Sequence, residues 1–94
     1  QHTVLKQTLL KYFGASSELR LFGSRADDNS QGGDIDIYIE PEIYQPDDIV
    51  EAKLNALVDL HKLLGEQKID LVINRKSGIE LPIYEIAKQT GIAL

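Results

Sequence analysis

The chain has no cysteine among its 94 residues. That single absence excludes disulfides, zinc–thiolate sites and thiol-based catalysis, and it fits a reducing, cytoplasmic setting. It also lacks any apolar run approaching the roughly 18 residues that span a bilayer, and no signal peptide is visible, so no membrane partner is expected. The chain opens on Gln1, and an initiator methionine or tag is expected to have been lost. Basic charge is scarce as well. Ten lysines and arginines face 15 acids, a net charge of −5. Proteins that track nucleic-acid backbones draw most of their affinity from basic side chains on phosphates. Extended nucleic acid is therefore not expected as a partner. A single nucleotide remains compatible, because a divalent cation can bridge carboxylates to phosphates.

What is present reads as one small domain over residues 1–94, with 43% hydrophobic and 27% charged residues and no repeat, linker or low-complexity tract. The periodicity predicts a helix over Thr3 to Phe13, stopped by Gly14, and a short strand from Glu18 to Phe22. Ser24 to Gly33 is polar and reads as a loop. Asp34 to Glu40 alternates strictly, with Ile35, Ile37 and Ile39 on one face and Asp34, Asp36 and Tyr38 on the other. A long helix follows from Asp47 to Leu64. Acids open it, His61 and Lys62 close it, and Gly65 stops it. Its expected apolar stripe is Val50, Leu54, Leu57 and Leu64, joined by Ile49, Ala56, Leu60 and Leu63. Lys68 to Asn74 is a third strand and Glu80 to Gln89 a last helix, with Pro82 tolerated in its first turn. The order gives an α/β (α+β) domain, a small mixed β-sheet with helices packed over it.

The chemistry-bearing residues are carboxylates. Asp34 and Asp36 share a strand face, their Cα atoms about 6.6–6.8 Å apart. Paired acids against an apolar core repel one another and lose solvation, and Asp is depleted in strands. A solvated sheet face accounts for one such acid. Two, with Asp70 in the apolar run Ile69 to Leu71, point to a divalent cation. Mg²⁺ takes oxygen ligands and is commonly held by one or two carboxylates plus substrate phosphates. Three convergent acids suit a two-metal phosphoryl-transfer site.

Gly23-Ser24 turns out of the first strand, where glycine lets backbone approach a ligand and Ser24 can donate to phosphate oxygens. Phosphates held there would meet cations held by the acids. Arg25 either contacts a triphosphate or pairs with a surface acid. Gly32-Gly33 reads as the turn into the Asp34 strand. His61 suits a helix C-terminus. Tyr38 lies on the carboxylate face, either beside a base or under a helix. The acids do not follow the calcium-loop spacing, no Walker lysine follows a glycine-rich loop, and no serine sits in a nucleophile elbow.

Gly23-Ser24, then nine intervening residues, then Asp34-Ile-Asp36 and later Asp70, resembles the polymerase-β-type nucleotidyltransferase superfamily. The short chain is similar to its minimal nucleotidyltransferases, the MNT-type antitoxins. The loop before Asp34 is one residue shorter than usual there, and Asp28 stands where a glycine is common. The resemblance implies a nucleotidyltransferase fold. It implies that Gly23, Ser24 and Arg25 hold nucleotide phosphates, and that Asp34, Asp36 and Asp70 are catalytic and bind Mg²⁺, as two ions. It further implies ATP as substrate and transfer of AMP to a tyrosine of a cognate HEPN-domain toxin, within a toxin–antitoxin pair. Two alternatives stay open: an antitoxin acting by contact alone, and transfer to a small-molecule acceptor.

Overall fold

A computed structural model describes residues 2–23, 35–65, 67–76 and 78–94. Among these, three helices and four strands occur in the order α1 (His2–Phe13), β1 (Glu18–Phe22), β2 (Ile35–Glu40), α2 (Pro46–Leu64), β3 (Ile69–Ile73), α3 (Pro82–Thr90) and β4 (Ile92–Ala93). The strands form one mixed sheet, ordered β3-β2-β1-β4. β1 runs antiparallel to both β2 and β4, whereas β2 and β3 are parallel and joined through α2. Parallel neighbours require such a crossover, which the long helix supplies.

Local chemistry accounts for the ends of α2. Pro46 occupies its first turn, where a missing N–H costs nothing, and Asp47 and Asp48 oppose the positive pole of the helix. Gly65 closes it, donating its N–H to the carbonyl of His61. α3 repeats the device, with Pro82 at its start and the Gly91 N–H bonded to the Ala87 carbonyl.

The period-two alternation of the strands divides the sheet into two unlike faces. Leu19, Leu21, Ile35, Ile37, Ile39, Ile69 and Leu71 form an apolar face. Against it pack Leu5, Leu9 and Phe13 of α1 and Ile49, Ala52, Ala56 and Leu60 of α2, making the main core. On the opposite face a smaller cluster joins Phe22 and Tyr38 to Ala87, with Val72, Ile83 and Tyr84 at its margin. Helices thus cover both faces, two on one side and α3 on the other.

Two sequence expectations need correction. The stripe that α2 buries is Ile49, Ala52, Ala56 and Leu60, whereas Val50, Leu54 and Leu63 are 59%, 61% and 60% exposed. The helix is apolar around much of its circumference, so periodicity alone does not choose the docking face. The two alanines decide it, since small side chains let the helix lie close to the sheet. The fourth strand was also not anticipated. Its two residues carry no periodic signal, and it exists through pairing with β1, where Arg20 lies opposite Ala93 and Leu21 opposite Ile92.

Candidate active site

The acid-bearing strands are neighbours in register. Asp36 pairs with Asp70 across the parallel β2–β3 ladder, and Phe22 of β1 lies opposite Asp36 on the other side. Adjacent strands lie about 4.8 Å apart, so the two carboxylates project side by side from the face that α3 only partly covers. Both aspartates are half-buried. Ile35 and Ile37, which flank Asp36, are 3% and 0% exposed, and Ile69 and Leu71, which flank Asp70, are 7% and 6% exposed, so the pair stands on a buried apolar floor.

Gly23 follows Phe22 with φ +75°, a conformation in which a side chain is strained. A Cβ built there would lie 2.3 Å from Oδ2 of Asp36. A side chain at this position would oblige the Asp36 carboxylate to move. A cleft of about 590 Å³ opens at this end of the sheet. Asp36 and Asp70 supply its charge, Phe22, Val72 and Ile83 an apolar wall, and Lys53 of α2 a cation on its border.

The structure thus brings together Gly23, Asp36 and Asp70. The other expected site residues, Ser24, Arg25 and Asp34, lie outside the described residues, as does the Gly32-Gly33 turn. Among the described residues no group of three or more His, Asp or Glu side chains is arranged to hold a metal ion. What is described is two thirds of the expected acid set. Two hard carboxylates in register, with backbone pressed against one of them, suit a divalent cation that prefers oxygen ligands.

Tyr38 shares the carboxylate face but offers no surface to a nucleotide. It is fully buried beneath α3, its ring centroid 6.0 Å from that of Tyr84 at 57°. Of the two roles open to it, packing under a helix is the one it plays. Its hydroxyl donates to Oε2 of Glu40 at 2.5 Å and accepts from Nδ2 of Asn74 at 2.9 Å. Lys76 and Lys88 close the network, their ammonium groups 2.8 and 3.4 Å from the Glu40 carboxylate. Burial pushes the Glu40 carboxyl up. The hydrogen bonds from Lys76 and Tyr38 and the charge of Lys76 outweigh this, and the net shift is downward. Burial, then the bond to Glu40, drives the Tyr38 hydroxyl well above its ordinary range.

Sequence reasoning missed this network and the cleft's apolar wall. Glu40 did carry a signal, since it ends the alternating strand on the same face as Asp36. Val72 and Asn74 carried the same signal on the third strand, alternating onto the Asp70 face, whereas Lys76, Lys88 and Ile83 carried none, because only tertiary contact gives them a role. No protein-family model and no curated protein matches the chain. No helix among the described residues is long and apolar enough to cross a membrane.

Proposed function

We propose that this chain is a Mg²⁺-dependent nucleotidyltransferase that moves AMP from ATP to a tyrosine hydroxyl of a partner protein, a HEPN-domain toxin. The observation that carries the reading is the in-register pairing of Asp36 with Asp70, with the Gly23 backbone against the Asp36 carboxylate. Like charges set opposite one another on adjacent strands repel, and a divalent cation held between them would offset that repulsion. The adjoining cleft supports the same reading. Its apolar wall of Phe22, Val72 and Ile83 can take a base, and Lys53 offers positive charge for phosphates. The HEPN partner rests on the family resemblance.

Asp36 and Asp70, with Asp34, would hold the cation, which when bound supplies charge neutralisation for the phosphates. The remaining chemistry falls to the chain. Gly23 admits the triphosphate close to the backbone. The acceptor oxygen forms a bond to the α-phosphorus, the bond to pyrophosphate breaks, and the Asp70 carboxylate takes the hydroxyl proton. Rate enhancement in such a site comes from positioning and electrostatic complementarity.

Incubation with α-phosphate-labelled ATP, Mg²⁺ and the purified partner tests the proposal. Label is expected on the partner, and is expected to vanish in Asp36→Asn and in Asp70→Asn while circular dichroism shows both variants folded. Toxin suppression without any transfer of label would overturn it in favour of inhibition by contact. Label on a small molecule in place of the partner would overturn the choice of acceptor.

A further inference from the structure

The face of α2 turned away from the sheet carries an apolar row. Val50, Leu54 and Val58 stand one turn apart and are 59%, 61% and 53% exposed. Asp47 continues the row at its N-terminal end and His61 at its C-terminal end, with Lys62 beside it, all three exposed. α1 packs on another side of the helix, marked by the hydrogen bond from the Tyr12 hydroxyl to Asp59.

This row is complementary to itself. From residue 47 through 50, 54 and 58 to 61 the intervals are three, four, four and three, the same read from either end. Turned end for end about Leu54, position 50 falls on position 58 and position 47 on position 61. An antiparallel second copy would place Val50 against Val58, Leu54 against Leu54, and acidic Asp47 against basic His61 and Lys62, twice over. That is the condition for an isologous, two-fold contact, in which one patch serves both partners. Antiparallel helices also oppose their macrodipoles, which reinforces the pairing of acidic first turn with basic last turn.

We propose that the row is the contact face of a two-fold symmetric dimer of this chain, built on antiparallel packing of α2 against α2. The contact runs about 21 Å along the helix at 1.5 Å per residue. One helix pair lies at the small end of specific interfaces, so a weak dimer is expected, with Kd on the order of 10 μM to 1 mM.

Sedimentation velocity on the purified chain, across that concentration range, tests the proposal. Reversible monomer–dimer exchange is expected. Leu54→Glu sets two carboxylates at the symmetry axis and should weaken the dimer at least about tenfold, the loss of one well-packed central contact. Leu54 is too exposed for its replacement to unfold the domain, and circular dichroism checks this. Asp47→Lys should weaken the dimer as well, and adding His61→Glu to it should restore association, which a folding defect would not allow. A chain that stays monomeric throughout, or a dimer indifferent to Leu54→Glu, overturns the proposal. A monomer whose row is protected only when a different protein is added overturns it too.

Discussion

Replacing Gly23 with alanine tests the candidate site at its tightest point. Two costs arise, and they differ in kind. The first is conformational. At φ +75° an alanine pays the left-handed penalty of about 1–2 kcal/mol. The second is steric, since the new Cβ would stand 2.3 Å from Oδ2 of Asp36. The carboxylate is the mobile end of its side chain, and Cγ and Cβ of Asp36 lie farther off, at 3.2 and 3.4 Å. Rotation of Asp36 relieves the overlap with its Oδ2. It removes the carboxylate from its place beside Asp70, however. The expected outcome is a Tm lower by about 4–16 °C, from the conformational penalty of about 1–2 kcal/mol at 4–8 °C per kcal/mol for a domain this size. Metal-dependent transfer should fall much further than so modest a destabilisation explains. Thermal unfolding by circular dichroism and the labelled-ATP assay read the two effects separately. Gly23→Ala with unchanged Tm and full transfer would refute both the positive-φ turn and the role given to Asp36. Combining it with Asp36→Ala, which removes the clash but not the φ strain, should recover little of the lost Tm.

Three further outcomes follow from the same geometry. Asp70→Asn removes one of two like charges set opposite across β2–β3, and urea unfolding should show stability equal to or up to about 1 kcal/mol above that of the parent. Tyr38→Phe strips the hydroxyl that bonds Glu40 and leaves Nδ2 of buried Asn74 without its acceptor; the loss in denaturant unfolding should be about 1–3 kcal/mol. Because the Glu40 carboxyl is held below its ordinary value of 4.5, its ionised form is favoured by folding. The Glu40 network therefore stabilises the fold above pH 4.5 and is lost as pH falls through the lowered folded value. The Tm difference between parent and Glu40→Gln should accordingly be full near neutrality and shrink below that pH. A gap that widens on acidification would mean the carboxylate is not the stabilising form.

Much of this protein is written locally. The alternation in β2 sends isoleucines to the core and Asp36, Tyr38 and Glu40 to the opposite face, because successive strand residues point opposite ways whatever surrounds them. The limits of α2 follow from Pro46, its first-turn acids and Gly65, all within a few residues of the helix ends. Gly23 is legible for the same reason, as a turn residue at a strand's end. What the sequence could not settle depends on distance along the chain. Tyr38 could stack on a base or pack under a helix until α3, more than forty residues on, proved to cover it. α2 could have turned Val50 and Leu54 inward, and docking against this particular sheet turned Ala52 and Ala56 there instead.

The candidate site shows the same division. That Asp36 and Asp70 each leave an apolar strand toward the solvent side was determined by residue order alone. That β3 lies next to β2, parallel and with no slip, was decided by the crossover through α2 and the packing beneath it. A slip of one residue would have turned Asp70 into the core, and a slip of two would have moved it about 6.6 Å along the strand, out of reach of a shared cation. Residue type is a local property; register is a property of the whole sheet, and the pairing of the two carboxylates needed both.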